Sequence, residues 1–575
     1  MKTLKGISAS YGIAIGPAFL YQRAALEIEC RSIVDPAAEL ARLAVAQETA
    51  RQQLQLVFEK ALAESGEEEA EIFKAQSMML DDPELVNSIQ KIVESDLVNV
   101  ESALSDTIEN YASMLSALDD EYLSARALDI RDVGARLLRI LLGVDEEPTV
   151  GLTQPSVIFA DDLTPSDTIL LDKTFVLAFC TSKGGATSHT AILARSLGIP
   201  AVVGAGKKVR KIKDGTLVIL DGDSGEVVIK PDEATLAEYK VRQDAFIRIR
   251  SKAAQVSDQP AVTLDGYRVE VVANIGSVEG ARSALDAGAE GVGLLRSEFL
   301  YLERNSLPSE EEQYKIYKMI ADTFGKMPVV LRTLDVGGDK EIPYIEMPYE
   351  DNPFLGVRAI RLCLARPQLF KPQLRAALRA GHGNNLKLMF PMVATVDEVL
   401  SARALLEECR AELKKEGLPT ADEMEIGIMI EIPAAAIMAD QLAEVVDFFS
   451  IGTNDLSQYT LAADRTNKHV AEIAAGFQPS VFRLIKQVID AAHAKGKWVG
   501  LCGEMAGEIL AIPILLGLGL DEFSMNPPAI PYAKLLIRSI SREKARKVAA
   551  AALNQSSSDQ IRALVQEMVP EVELG

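Results

Sequence analysis

His189 stands in Gly184-Gly-Ala-Thr-Ser-His189-Thr-Ala-Ile-Leu-Ala-Arg195, which reads as a glycine-rich loop opening a short helix. Thr187 and Ser188 are good N-cap residues, and Ala191 to Ala194 favour helix, so His189 is expected in the first turn. The free N–H groups and the helix dipole there favour an anion. A neutral imidazole, with an ordinary pKa of about 6.5, is a nucleophile at pH 7. If it took up a phosphoryl group, the helix end would already suit the product. Arg195 is the candidate to neutralise the added charge. An isolated histidine at a turn more often caps or packs, so the rest of the chain decides.

A second set of chemically capable residues lies downstream. Arg296 and Arg332 offer planar forks for phosphate and carboxylate oxygens, with Arg358 and Arg465 as further candidates. Glu431 and Asp455 are hard oxygen ligands; with phosphate oxygens and water they complete an octahedral Mg²⁺ site. Cys502 is a weak acid placed to protonate a carbon, although alone it reads as a small buried hydrophobe. His382, His469 and His493 lack metal-ligand spacing and are read as structural.

The elements that must position this set repeat: a buried-type strand, then a helical stretch. The strand-like runs are Val269–Ala273, Gly291–Leu295, Pro328–Leu331, Leu386–Phe390, Ile426–Ile430, Asp447–Ile451, Trp498–Leu501 and Glu522–Met525. Eight parallel strands over ~265 residues are what a (β/α)₈ barrel needs. The polar residues follow the strands. Asn274 ends the first; Arg296 and Glu298 follow the second; Arg332 and Asp335 the third; Pro391 the fourth; Glu431 the fifth; Asn454 and Asp455 the sixth; Cys502 and Glu504 the seventh. In a barrel those positions share one mouth. Residues 530–575 read as terminal helices.

Upstream, the texture changes twice. Residues 6–21 read as short strands and turns. From 36 to 143 glycine and proline are scarce, and Leu40, Leu43, Ala46, Ala50, Leu54 and Phe58 recur at helical spacing. That predicts a bundle of about four long helices. Strand-like runs return at Val157–Ala160, Phe175–Phe179, Ala201–Val203 and Leu217–Leu220. The helices therefore read as an insertion into one α/β domain. The expected boundaries are 1–35 with 144–230 for the α/β domain that carries His189 and 36–143 for the inserted bundle. A polar linker helix follows over 231–260, and the barrel over 261–575.

Composition sets the bounds. A chain of 575 residues predicts several domains. Its net charge of −23 argues against nucleic acid or an anionic membrane as main partners. No apolar run approaches the ~20 residues of a membrane-spanning helix, and no signal peptide is read at Met1-Lys-Thr-Leu. The cysteines Cys30, Cys180, Cys363, Cys409 and Cys502 form no CxxC pair, which fits a reducing cytoplasm.

At this point the chain resembles Enzyme I of the phosphoenolpyruvate:sugar phosphotransferase system, nearly end to end. The most specific motifs are the His189 segment and Asp447-Phe-Phe-Ser-Ile-Gly-Thr-Asn454-Asp455-Leu-Ser-Gln458. Gly291-Val-Gly-Leu-Leu-Arg296-Ser-Glu-Phe299, Asn352-Pro-Phe-Leu-Gly356, Met389-Phe-Pro-Met392 and Leu501-Cys502-Gly-Glu504 agree. The resemblance implies a swivelling phosphohistidine domain, and phosphoenolpyruvate held at the barrel mouth by Arg296, Arg332, Asn454 and Arg465, with Arg358 joining them. It implies Mg²⁺ on Glu431 and Asp455, Cys502 as the acid that completes pyruvate, and Thr168 as the residue that orients the His189 ring. The phosphoryl group then passes to the carrier protein HPr. The docking face implied on the helical block includes Glu67, Glu68, Ile72, Met78, Met79, Asp82, Leu85 and Arg126. A homodimer through the barrel domain is also implied.

Some positions depart from the family pattern. Tyr11 stands where proline is common, Gln76 replaces a histidine, Leu295 replaces a tyrosine, and residues 470–478 lack the usual Leu-Tyr and proline. Two alternatives share the phosphohistidine and barrel pair: pyruvate phosphate dikinase and phosphoenolpyruvate synthase. Those need a large ATP-binding domain, and no glycine-rich nucleotide loop occurs before His189. The nitrogen-related Enzyme I, with its added sensory domain, and a regulatory protein that has lost catalysis are the others. The full Arg, Glu, Asp and Cys set argues against the last.

Overall fold

The structure is a computed structural model. It describes the chain outside residues 22–25, 27, 65–66, 117–120, 145–151, 153, 165–166, 168–170, 172, 186–187, 303, 305, 339–341, 343, 346, 466, 468, 471–472, 475 and 575. For residues 60–64, 67–72, 116, 121–126, 173, 189, 192, 196–197 and 573–574 it describes the backbone alone. Two compact units divide the chain, Met1–Phe246 and Ile247–Gly575.

The first unit is built on an eight-stranded sheet: β1 (Lys2–Lys5), β2 (Ile7–Ser10), β3 (Ile13–Leu20), β4 (Ser156–Ala160), β5 (Val176–Thr181), β6 (Ala201–Val203), β7 (Leu217–Asp221) and β8 (Glu226–Ile229). Their order is β1-β8-β7-β3-β4-β5-β6-β2. β3 and β4 are parallel neighbours, Ala18 opposite Val157, although the helical block separates them in sequence. The helices are thus inserted into one α/β sheet. β1 and β8 have no counterpart in the sequence reading. Both are short strands of 4 residues, which leaves little local signal.

Among the described residues the insertion holds five helices rather than about four: α1 (Pro36–Glu64), α2 (Glu67–Met79), α3 (Pro83–Asp96), α4 (Val100–Ser116) and α5 (Glu121–Leu142). Leu43, Ala46, Ala50 and Leu54 of α1 pack with Ile89, Val93, Leu104 and Leu137, so the predicted stripe is the core seam. Asp82 begins α3 by accepting the backbone N–H groups of Glu84 and Leu85. Leu85 itself is buried in this core, which removes it from the implied docking face. Gln76, in place of the family's histidine, is buried and donates to Asp132 at 3.3 Å. The short helix α6 (His189–Leu197) follows β5, and α7 (Glu233–Val256) is the polar helix within which the two units divide.

The second unit is a closed parallel barrel: β9 (Glu270–Ile275), β10 (Val292–Leu295), β11 (Val329–Arg332), β12 (Leu386–Phe390), β13 (Ile426–Ile430), β14 (Phe448–Ile451), β15 (Trp498–Leu501) and β16 (Glu522–Met525). The eight sequence runs match these within two residues at each end. Side chains alternate across each strand, so Leu294, Val330, Met389, Met429 and Phe448 form one cluster, while their strand neighbours join the larger helix-covered core. Local signals start the helices. Ser309 with Glu312 and Thr395 with Glu398 make capping boxes for Glu310–Phe324 and Val396–Glu416. Terminal helices cover 530–568. Among the described residues no helix is long and apolar enough to cross a membrane.

Candidate active site

At the end of the barrel where the strands finish, the ends of β10, β11, β13 and β14 with the loops after them gather six buried charges, Glu298, Arg332, Asp335, Arg358, Glu431 and Asp455. Arg332, the last residue of β11, donates from Nη2 to Glu298 Oε2 at 2.9 Å. Its Nη1 faces Asp335 Oδ2 at 3.1 Å, and its Nε is buried without a partner. Burial opposes the charge on Arg332, but the carboxylates of Glu298, Asp335 and Glu431 outweigh it and keep the guanidinium protonated. Arg358 is 1% exposed. It holds Asp335 through Nε and Nη2 at 2.8 and 3.0 Å, and Asp455 through Nη1 and Nη2 at 3.1 and 3.3 Å. Arg358, expected to join the substrate ligands, thus has both arms of its fork engaged by carboxylates. Arg465 Nη1 lies 3.8 Å from Asp455 Oδ2 and is partly exposed.

Glu431 follows β13 and is buried. Its Oε1 accepts the N–H of Met392 at 2.5 Å. Met392 sits at φ 57°, a left-handed conformation costly for a side chain of its size, and that turn aims the N–H at the carboxylate. Oε2 has no partner. A Cβ on Gly452 would lie 3.0 Å from that oxygen, so the glycine keeps the space beside it clear. Burial, with Asp455 and Asp335 adding to it, raises the Glu431 carboxyl well above the ordinary carboxylate range, against the pull of Arg358 and Arg332. A buried carboxylate with a free oxygen beside a second carboxylate is a donor set that fits a hard divalent cation. Among the described residues no cluster of three or more His, Cys, Asp or Glu side chains forms a metal cage, so any such ion takes its remaining oxygens from elsewhere.

The rim of the mouth is less enclosed. Arg296 is exposed, and its side chain has no ion pair or hydrogen bond among the described residues. Asn454 Nδ2 donates to Glu504 Oε1 at 3.2 Å, and Asn454 Oδ1 accepts the Glu504 N–H at 3.2 Å. Cys502 is buried, and its carbonyl accepts Asn274 Nδ2 at 3.0 Å. Burial pushes its thiol up to about 11, so it is a neutral S–H donor at pH 7. A Cβ on Gly503 would fall 1.9 Å from Thr453 Oγ1, so only glycine lets the Cys502 loop pass the Asn454 loop.

His189 is the first residue of α6, as the sequence predicts, and the structure describes it by its backbone alone. Ser188 occupies the N-cap position, but its hydroxyl makes no capping bond and is buried without a partner. Thr187, the other expected cap, and Thr168 lie outside the described residues. Arg195 falls in the last turn of α6, at the end opposite the anion-favouring N-terminus, where its Nη1 donates to the Ala9 carbonyl at 3.1 Å. The helix rise, ~1.5 Å per residue, sets it roughly 9 Å along the axis from His189. Arg195, expected as the neutralising charge, is engaged with Ala9 at that end of the helix. The side chains of Glu67, Glu68, Ile72 and Arg126 lie outside the described set, whereas Met78 is exposed.

Two members of the buried network carried no role in the sequence reading. Glu298 and Asp335 each follow a barrel strand, but so do solvated loop carboxylates, and only their three-dimensional pairing separates the two cases.

Comparison with known proteins adds three family matches in chain order. They are the N-terminal domain of PEP-utilising enzymes over residues 5–126, their mobile domain over 152–225 and their PEP-binding domain over 250–542. The chain is 48% identical to the phosphoenolpyruvate-protein phosphotransferase of Geobacillus stearothermophilus, covering 98% of each chain. It is 47% identical to that of Bacillus subtilis, covering 99% of this chain and 100% of the relative. With that of Staphylococcus carnosus the identity is 46%, over 98% of this chain and 99% of the relative.

Proposed function

From its membership of the phosphoenolpyruvate-protein phosphotransferase family, to which this chain belongs, we propose that it moves the phosphoryl group of phosphoenolpyruvate to His189 and then to HPr. The observation that carries the reading is the barrel mouth, where arginines, the unpartnered Glu431 oxygen beside Asp455 and a neutral thiol converge.

Arg296, Arg332 and Arg465 bind the phosphate and carboxylate of the substrate, with Asn454 completing the pocket. The exposed Arg296 supplies donors that no protein carboxylate has taken up, and the partly exposed Arg465 meets Asp455 only at 3.8 Å. The lone pair of the outer ring nitrogen of His189 attacks phosphorus in line, and the bond from phosphorus to the enol oxygen breaks. Preorganised guanidinium donors stabilise the charge spread over the equatorial oxygens. Glu431 and Asp455 would hold Mg²⁺, which when bound would lend the same stabilisation. The enolate takes its proton at carbon from the Cys502 thiol, giving pyruvate and a thiolate that solvent reprotonates.

The domain assignment follows the same reading: 1–35 with 144–230 carries the phosphohistidine, 36–143 receives HPr, 231–260 links, and 261–575 binds phosphoenolpyruvate and forms the dimer. Thr168 orients the His189 ring. Met78, exposed on α2, belongs to the HPr face. The setting is the cytoplasm, in keeping with five free cysteines.

The test is incubation with radiolabelled phosphoenolpyruvate, Mg²⁺ and HPr, following pyruvate and phospho-HPr, with ATP as the control donor. The reading expects acid-labile label on the chain and on HPr from phosphoenolpyruvate only. Labelling from ATP, or none from phosphoenolpyruvate, would overturn it.

A further inference from the structure

Asp335 touches both halves of the barrel-mouth site. Its Oδ1 and Oδ2 take Arg358 Nε and Nη2 in a bidentate pair at 2.8 and 3.0 Å. Its Oδ2 also faces Arg332 Nη1 at 3.1 Å. Its backbone N–H donates to Glu298 Oε1 at 3.0 Å, while Glu298 Oε2 takes Arg332 Nη2 at 2.9 Å. Glu298, Arg332 and Asp335 therefore close a ring. From the other side of its fork, Arg358 reaches both oxygens of Asp455. One continuous path runs from Arg332 through Asp335 and Arg358 to Asp455.

The path is dry and its backbone is fixed. Asp335 and Arg358 are each 1% exposed. The neighbouring Leu334 N–H donates to Gln373 Oε1, and Gln373 Nε2 donates to the Tyr317 hydroxyl. Two residues on, Gly337 stands at φ 110°. A Cβ there would lie 2.8 Å from the Val357 carbonyl and 3.0 Å from Arg358 Cα. The loop carrying Asp335 thus runs against the backbone that carries Arg358.

We infer that Asp335 is a positioning residue that couples Arg332 on the anion side to Asp455 on the cation side. The inference rests on the reading above, in which Arg332 holds substrate phosphate and Asp455 holds Mg²⁺. A guanidinium clamped between two buried carboxylates cannot turn without leaving a charge unpaired in a low dielectric. Without the Asp335 charge, Arg358 keeps Asp455 as its one ion pair, beside the Tyr459 hydroxyl, and draws that carboxylate away from a cation. Arg332 keeps Glu298 as its one ion pair and loses the second carboxylate that fixes its fork. Both ligands then weaken, although neither touches Asp335.

The test compares wild type with Asp335→Asn and Asp335→Glu as full chains. Mn²⁺ binding is read by water-proton relaxation, phosphoenolpyruvate binding by calorimetry with and without Mg²⁺, and folding by circular dichroism. Asp335→Asn is expected to weaken Mn²⁺ and phosphoenolpyruvate each by roughly 10-fold, the size typical when a partner behind a metal ligand is lost. The gain in phosphoenolpyruvate affinity on adding Mg²⁺ shrinks as well, which a general loosening of the fold would not produce. Asp335→Glu keeps the charge but displaces it by one methylene, and is expected to weaken both ligands too. It decides the matter if the Asn variant does not fold. Variants that bind both ligands within twofold of wild type, or that weaken one alone, overturn the inference. A wild-type chain that binds no phosphoenolpyruvate overturns the functional reading and this inference together.

Discussion

The two places proposed to handle the phosphoryl group differ in how many of their polar groups are already engaged. At the barrel mouth Arg332, Arg358, Glu298, Asp335 and Asp455 hold one another in a buried network. At the start of α6 the opposite holds: the Ser188 and Thr190 hydroxyls are buried without partners, and Arg195 is tied at the other end of the helix. A closed network fixes geometry, because moving any member strands a charge. A helix end with open N–H groups accepts an anion without asking a neighbour to move. The contrast fits a mouth that must be rigid when substrate arrives and a carrier that must fit more than one surface.

The largest test of this contrast is His189→Ala. It is expected to abolish labelling by phosphoenolpyruvate with the fold intact by circular dichroism; persistent acid-stable label would sink the phosphohistidine assignment. Next is a split between half-reactions. Arg296→Ala is expected to slow phosphorylation by phosphoenolpyruvate roughly 10²–10³-fold, as for loss of one transition-state donor. Exchange between phospho-HPr and His189 should stay within twofold. A fragment of residues 1–260 should likewise accept phosphate from phospho-HPr and not from phosphoenolpyruvate. Equal loss of both half-reactions in Arg296→Ala would merge the two regions into one site.

A smaller effect separates the barrel mouth from the barrel's other end. Glu522, at the start of β16, points inward: Cβ atoms on Gly293 and Gly500 would lie 2.6 and 2.7 Å from its Oε1, which has no partner. Burial, then the nearby Glu270, pushes its pKa up to about 8. The folded state therefore retains a proton that the unfolded chain releases near pH 4.5. The resulting cost is absent below pH 4.5, grows up to about pH 8, and is constant above. Glu522→Gln is expected to raise the barrel's melting temperature at pH 8 by about 1–2 °C for each kcal/mol regained, given an unfolding entropy of about 2.1 cal/mol/K per residue. At pH 4.5 it should do little. A gain that is the same at both values would rule out the titration of Glu522. The smallest effect is expected from Arg195→Ala. Losing its bond to Ala9 costs about 1 kcal/mol of stability and leaves the rate of phosphoryl exchange within threefold. A tenfold slowing would return Arg195 to the phosphohistidine.

Sequence determined the barrel's elements because each of its strands announces itself locally. A run such as Ile426–Ile430 is apolar over five residues, all buried, and the polar residue after it is fixed at the mouth by the parallel closure of the barrel. His189 at the first turn of α6 was legible for the same reason, from the glycines before it and the alanines after. The residue types at the mouth also named the chemistry. What only the tertiary structure decided is which charges are free. Arg358 meets Asp335 and Asp455 across 23 and 97 residues of chain, and no local pattern marks that pairing. The same holds for β3 beside β4 across five helices. Periodicity is a property of neighbours in sequence. Pairing of buried charges depends on desolvation and distance, which exist only once the barrel has closed.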